Sequence, residues 1–272
     1  MRSAKRDYLE ADRIKANLKT SRIGREILVF DVVSSTNDAA CGYVGQDGGN
    51  DGLVIFAEEQ SAGRGRGGSR WFGGKGDSIL CSVVLAGSGL GAEIICLVSA
   101  VAVADAVGSS ATGKVAGSAA KVKWPNDVYM NARKVAGVLV ESRQNKRATN
   151  YIVGVGINCH QQRGFFSSEL QDKATSIDIE SGSFCDRVML ARRLLVSLEK
   201  WTATAKVNPE QVIEYWQHCS ICLGHRVKLL HNGRTYSGNC IGMEPGRGLI
   251  VQLDSGGVRM FEAAHTSVVN SV

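Results

Sequence analysis

The chain has 272 residues, 44% of them hydrophobic and 21% charged, with a formal net charge of +6. That length and balance suit a soluble globular protein with one large domain, or a large and a small one. No apolar run reaches the ~20 residues of a membrane span. Met1–Arg6 is charged with no apolar stretch behind it, so these residues are not expected to act as a secretory leader.

Residues 1–26 hold eight Lys/Arg and four Asp/Glu, so most of the positive excess is N-terminal. A solvated helix face accounts for it, and a polyanion partner is not required. The eight cysteines are scattered, and Cys81, Cys96 and Cys159 sit in apolar segments. They read as buried thiols in a reducing compartment, so the expected location is the cytoplasm. Cys219-Ser-Ile-Cys222, with His218 and His225 nearby, has metal-like spacing. A zinc site usually needs a second matched pair, so two plain thiols in a connector are the favoured reading.

In chain order, Asp7–Leu18 sets Leu9, Ile14 and Leu18 among charges and predicts a weakly amphipathic helix. Glu26–Val33 is rich in β-branched residues and predicts the first strand. Ser34-Ser35-Thr36-Asn37-Asp38 follows. Ser35 with Asp38 has the pattern of an N-cap, so a helix should run towards Tyr43. Its hydroxyls can serve only as caps. Alternatively, a helix N-terminus just after a strand makes a polar, anion-tolerant pocket.

Leu53–Glu59 is the second strand and Ser78–Leu85 the third. Between them lies Gln60-Ser-Ala-Gly-Arg-Gly-Arg-Gly-Gly-Ser-Arg-Trp71. Glycine costs about 1 kcal/mol per helical position relative to alanine, so this is a loop. Gly63, Gly65, Gly67 and Gly68 permit positive φ and close approach of a ligand. Arg64, Arg66 and Arg70 present forked, permanently charged donors beside bare backbone N–H groups, a surface suited to phosphate or carboxylate. A flexible basic RNA tether would sit in a long low-complexity tail instead. The stretch also matches Gly-x-Gly-x-x-Gly, but a dinucleotide fingerprint opens a helix, and this one leads to another strand.

Gly91–Val107 is apolar and alanine-rich and predicts a buried helix. Gly108–Val115 fits Gly-x-x-x-x-Gly-Lys, but Val115 replaces the magnesium-binding hydroxyl of a P-loop, and Lys114 reads as a surface lysine. Ala120–Trp124 is a short strand closed by Lys123-Trp124-Pro125-Asn126-Asp127. Asn131-Ala132-Arg133 predicts a hairpin turn that places Lys134 at the start of the returning strand. Lysine, amide and carboxylate together can hold nucleotide phosphates and Mg²⁺. Tyr151–His160 is the next strand, with Gly154 and Gly156 allowing close approach. Arg187–Trp201 and Pro209–Gln217 read as helices. From Arg226 to Phe261, short alternating runs are separated by Asn232-Gly233, Pro245-Gly246 and Ser255-Gly256-Gly257. That is a small all-β barrel.

Four separated motifs carry a resemblance. The Gly/Arg loop is followed by Lys123-Trp-Pro-Asn-Asp127, then Arg133-Lys-x-x-Gly-x-Leu-x-Glu141, then Gly154-x-Gly-Ile-Asn158. The chain resembles the biotin protein ligases, or biotin–[acetyl-CoA-carboxylase] ligases, over roughly residues 12–270. The resemblance implies an α+β fold: a mixed sheet packed with helices, like class II aminoacyl-tRNA synthetases, plus an SH3-like barrel. The implied domains are 1–221 (catalytic) and 222–272 (barrel).

It implies an ATP-dependent ligase that makes biotinyl-5′-AMP and passes biotin to a lysine of a biotin carboxyl carrier domain, with Mg²⁺ as cofactor. Lys134, Arg66 and Arg64 would be catalytic. Ser35, Thr36, Asn37, Gln60, Arg64, Gly65, Arg66 and Lys134 would bind biotin. Arg66, Arg70, Trp71, Asn126, Asp127, Lys134 and Asn158 would bind nucleotide, and Asp127 the metal. The expected partners include no DNA and no membrane, and a homodimer is left open.

The family loop commonly has arginine two places before the tryptophan, where this chain has Ser69 and then Arg70. One phosphate contact is thereby in doubt. The ~25 residues before the first strand are too few for the winged helix of the repressor forms, so a ligase without that role is expected. A lipoate ligase, sharing the fold and acyl-adenylate chemistry, is the nearest alternative. A non-catalytic nucleic-acid-binding module is another, but aromatics make up only 6% of the chain.

Overall fold

The computed structural model describes residues 7–44, 49–110, 120–144 and 149–271. Seven strands form one sheet: β1 (Ile27–Val33), β2 (Val54–Gln60), β3 (Ser78–Leu85), β4 (Lys121–Lys123), β5 (Asp127–Met130), β6 (Arg133–Gln144) and β7 (Thr149–Asn158). Their order is β1-β2-β3-β7-β6-β5-β4. β1 runs parallel to β2 and every other neighbouring pair is antiparallel, so the sheet is mixed.

Helices cover the sheet unequally. α1 (Ala11–Lys15), α3 (Ala92–Ser110), α4 (Ile177–Ser181), α5 (Arg187–Val207) and α6 (Pro209–Cys219) contribute to the large core on one face. α2 (Thr36–Gly42) lies on the other face over Ile55, Val84 and Ile152. Fully burying each such aliphatic side chain contributes about 1.5–3 kcal/mol, so the large core dominates stability. The small one leaves most of its face free for a site. α3 corrects one expectation: it is long and apolar enough, with mean hydropathy 1.8, to pass for a membrane span. Yet 61% of its apolar window is buried inside the protein, as a core helix requires.

The predicted helix over Asp7–Leu18 shrinks to α1. Asn17 takes φ 62° and turns the chain. The residues before α1 are drawn to the sheet, where the Leu9 N–H donates to Glu58 Oε1 at 2.7 Å. Ser35 stands at the N-cap of α2 but its hydroxyl makes no capping bond.

A second, five-stranded antiparallel sheet has the order β11-β10-β9-β8-β12. It comprises β8 (Arg226–His231), β9 (Arg234–Glu244), β10 (Gly248–Leu253), β11 (Val258–Phe261) and β12 (Thr266–Ser271). Asn232 and Gly233 both have positive φ, as a two-residue hairpin turn needs. β12, which pairs with β8, has no turn signal in its sequence and was not expected. Cys219 and Cys222 are buried free thiols between the two sheets in sequence. Burial pushes Cys219 up to about 11. Lys114 and Met1–Arg6 lie outside the described residues.

Candidate active site

Strand alternation makes the site. On β7, Val153, Val155 and Ile157 enter the large core. Gly154 and Gly156 therefore face the other way, as does Gly137 between Ala136 and Val138 on β6. Three missing side chains leave a trough across the sheet. What enters it is the protein itself. A Cβ on Gly154 would lie 2.4 Å from Asn37 Oδ1, and one on Gly156 would lie 2.4 Å from the Trp71 ring. The close approach expected of a ligand at these glycines is made by Asn37 and Trp71.

A polar group closes one end. The Thr36 N–H and hydroxyl both donate to Gln60 Oε1, at 2.8 and 3.1 Å. Ser82 Oγ lies 2.6 Å from Asn37 Oδ1, and Asn37 Nδ2 donates to Glu141 Oε2 at 2.8 Å. With Oε1 taken, Gln60 directs its amide NH₂ towards Gly63. Ser82 and Glu141 were missed as site residues. For Glu141 the signal was positional, four residues from Gly137 on β6, whereas Ser82 is placed by pairing opposite Gly154 across β3 and β7.

The Gly/Arg loop covers the trough as a closed hairpin rather than a flexible tether. Gly65 N–H donates to Ser69 O at 2.7 Å and Trp71 N–H to Gly63 O at 3.0 Å. Gly67 (φ 61°) and Gly68 (φ 79°) make the left-handed tip. Gly63 and Gly65 do not have positive φ; they are crowded, with a Cβ meeting Trp71 O and Ser69 Oγ.

Each arginine has a distinct anchor. Arg64 forks onto Asp38 at 2.7 and 2.8 Å and reaches Glu141 at 3.2 Å. The bond to Asp38 raises Arg64 further above its usual range and lowers the Asp38 carboxyl. Arg66 donates to Asn126 Oδ1 at 3.2 Å and to the Ala263 carbonyl of the second sheet. Arg70 lies over the Phe72 ring, 5.3 Å away, with a 3.5 Å contact to Ser61 O.

Trp71 rests against Gly156 and Gly137 with its indole N–H buried and unpaired. Gly156→Ala should lever the indole out, since a Cβ at 2.4 Å cannot be accommodated without movement. Amides of residues 61–71 are expected to exchange at least several-fold faster in that variant. An unchanged exchange pattern would contradict this packing.

Lys134 reaches the trough through a backbone irregularity. The β5–β6 register slips between Val128 and Tyr129, so Asp127 faces Gly137 but Tyr129 faces Lys134. Val135 and Ala136 both enter the core. That β-bulge brings Lys134 onto the face of Gly137, whose Cβ would lie 3.2 Å from Lys134 Nζ. Lys134 Nζ pairs with Asp127 Oδ1 at 2.6 Å and lies 5.7 Å from the Trp71 ring centroid. Its backbone is held by Lys173 O and the Thr175 N–H. Asn126 is fixed by donation to Val138 O at 2.6 Å.

The structure thus gathers Ser35, Thr36, Asn37, Gln60, Arg64, Gly65, Arg66, Arg70, Trp71, Asn126, Asp127 and Lys134 around one cleft. Asn158 does not join them. It is buried, and its amide donates to Thr175 O at 2.9 Å, bracing the end of β7. Among the described residues no cluster of His, Cys, Asp or Glu could hold a metal ion by itself.

Comparison with known proteins agrees with this architecture. Residues 29–158 match the model of the biotin/lipoate A/B protein ligase family. The biotin–[acetyl-CoA-carboxylase] ligase of Mycobacterium tuberculosis is 30% identical over 236 residues, 82% of this chain and 84% of that one. The bifunctional ligase/repressor BirA of Escherichia coli is 30% identical over 237 residues, 85% of this chain and 70% of that one. In fold, the chain is similar to a biotin protein ligase from Aquifex aeolicus in complex with biotin and ATP. The TM-score is 0.77 at 24% identity, covering 91% of this chain and 100% of that one. The chain belongs to the biotin/lipoate A/B protein ligase family, and within it to the biotin protein ligases.

Proposed function

We propose that this enzyme activates biotin with ATP and transfers it to a lysine of a biotin carboxyl carrier domain, as a biotin–[acetyl-CoA-carboxylase] ligase. The observation that carries the proposal is the two-ended cleft: an amide-and-hydroxyl cluster at one end and Lys134, Arg66 and Asn126 at the other. A ureido ring offers one carbonyl and two N–H groups, which Ser35, Asn37 and Gln60 can pair. A dithiolane ring offers no such groups and would gain none of these hydrogen bonds, which disfavours lipoate.

In the first step the biotin carboxylate oxygen bonds to the α-phosphorus of ATP. The bond from that phosphorus to the bridging oxygen breaks, and pyrophosphate leaves with the electron pair. In the second, the neutral amine of the acceptor lysine attacks the carbonyl carbon of biotinyl-5′-AMP. AMP leaves and the amine proton passes to solvent. No protein nucleophile is needed. Bringing two anions together is the difficulty, so positioning and charge neutralisation by Lys134 and Arg66 are the catalysis. Trp71 on its glycine bed would keep water from the anhydride.

Mg²⁺ fits only as a companion of the nucleotide. Among the described residues that line this cleft, Asp127 is the one carboxylate, and Asn126 beside it in sequence offers an amide oxygen, so phosphates and water would complete the shell. Arg64 is tied to Asp38 and Glu141, and we assign it to closing the loop over biotin. The proposed domains, 1–221 and 222–272, would meet across the cleft through Arg66 and Ala263.

Arg66→Gly is expected to release the intermediate. Charge-assisted bonds are worth about 1.5–3 kcal/mol, so biotinyl-5′-AMP should dissociate about 10- to 100-fold faster. Free biotin, which lacks the phosphate, should bind nearly as before. The variant should then label bystander lysines. Parent-like retention of the intermediate, in this variant and in Arg66→Gly/Arg70→Ala, would contradict the role. The proposal as a whole is tested by incubating the enzyme, biotin and ATP with a carrier domain. Mass spectrometry should show one biotinyl group on one lysine. An unmodified carrier domain would overturn the transfer step.

A further inference from the structure

Glu180 lies outside the cleft, on α4, with its side chain 3% exposed. Both of its oxygens are in use. Oε1 accepts from Arg133 at 2.6 Å and from the Thr175 hydroxyl, and Oε2 accepts from Asn131 Nδ2 at 2.6 Å. These three partners surround Lys134. Asn131 belongs to the positive-φ turn that leads into β6, and Arg133 is the first residue of that strand. The Thr175 N–H donates to the Lys134 carbonyl at 2.9 Å, and the Lys134 N–H donates to Lys173 O at 2.8 Å. Residues 173–175 are therefore a strap alongside the start of β6.

We propose that Glu180 is a positioning residue for Lys134, tying the turn before that lysine and the strap beside it into one seat. This rests on the reading of Lys134 given above. The sheet alone holds this point poorly. On one side the β5–β6 register slips next to Tyr129, the residue opposite Lys134, and a bulge disrupts the ladder locally. On the other side β7 begins to pair only at Ala136. The strap takes the place of β7 at Lys134, and Glu180 fastens the strap to the turn.

The chemistry of the three partners calls for a carboxylate. Each of them donates, and an ionised carboxylate only accepts, through two oxygens. A glutamine in its place would have to turn its NH₂ towards one of those donors, which opens one arm of the seat. Lysine carries its charge on a flexible four-carbon stem, so the place of its ammonium depends first on a fixed backbone. A misplacement of about 1 Å at a reacting centre can cost about 10²-fold in rate. A loosened seat should therefore show in the chemical step, and only through the Lys134 ammonium.

The test is a double-variant cycle on the full chain, read by single-turnover formation of biotinyl-5′-AMP at saturating biotin and ATP. Glu180→Gln should slow that step about 10- to 100-fold. In a chain that already carries Lys134→Ala, the same change should slow it by less than about twofold, because the group being positioned is gone. Thr175→Val removes one donor and keeps the Arg133 ion pair. It should slow the step severalfold, and Thr175→Ser should restore it. This pair decides the matter should Glu180→Gln fail to fold. The Lys134 amide should exchange at least about tenfold faster in Glu180→Gln and in Thr175→Val, a readout that needs no turnover. Parent-like rates in both variants, a full multiplicative loss in the Lys134→Ala background, or unchanged exchange at Lys134 would each overturn the proposal. Failure of the Lys134 reading itself would appear separately, as a parent-like rate in Lys134→Ala alone, and the amide exchange would still test the seat.

Discussion

Lys134→Ala is expected to lower the rate of biotinyl-5′-AMP formation about 10²–10³-fold, the usual cost of removing one preorganised donor at a developing charge. The structure makes the effect specific to chemistry. Lys134 is held at its backbone by Lys173 and Thr175, so the substitution removes the ammonium and leaves the strand in place. Its partner Asp127 is partly exposed and can take up water, so stability should change by less than about 1 kcal/mol. Single-turnover adenylate formation measures the rate, and urea unfolding the stability. Near-parental adenylate formation would remove Lys134 from the mechanism. A large loss of stability would instead make it a structural residue.

Arg187→Met should be the most destabilising of the substitutions considered, by about 3–5 kcal/mol, because it strands buried carboxylates. Arg187 is 1% exposed at the start of α5. It donates to Asp7 Oδ1 at 2.8 Å, Glu58 Oε2 at 2.8 Å and the Ser78 carbonyl at 3.1 Å. It thus ties the N-terminal segment, β2 and β3 together beneath the site. Replacing Glu58 by Met as well should recover part of the loss, since removing both charges leaves less buried charge unpaired. Urea unfolding of the single and double variants decides this. A single-variant loss below about 1 kcal/mol would show that the network is not what holds these elements.

The same network sets a pH dependence. His160 lies 2.8 Å from Asp178 and 3.4 Å from Asp7. Burial disfavours its charged form, but the hydrogen bonds to Asp178 and Asp7 outweigh that and raise it to about 9 from 6.5. A raised folded-state value means stability that is fully present below pH 6.5 and lost as pH rises through 9. His160→Phe should flatten the stability profile between those values. A parent chain equally stable at pH 6.5 and 9.5 would contradict the assignment.

Much of the fold could be read from the sequence because its signals are local. Ser78–Leu85 is buried at every position. The glycines of Val153–Ile157 alternate with core residues, so the trough is written into one strand. The Asn131–Ala132 turn followed from its hairpin pattern, and both residues do have positive φ. What was not legible depends on pairing between strands or on contacts distant in sequence. A bulge cannot be seen in an alternation pattern, so the placement of Lys134 beside Gly137 is a property of the β5–β6 register. The hold of Ala263 on Arg66 and of Glu141 on Asn37 crosses elements that no spacing rule connects. Ser35 shows the converse: its cap signature gave the right start for α2 and the wrong hydrogen bond.

The central claim is that this cleft joins biotin to the α-phosphate of ATP. Exchange of labelled pyrophosphate into ATP measures that step alone, without a carrier domain. The account predicts rapid exchange with biotin present, and none with lipoate or without an added acid. No exchange with biotin, or equal exchange with lipoate, would contradict it.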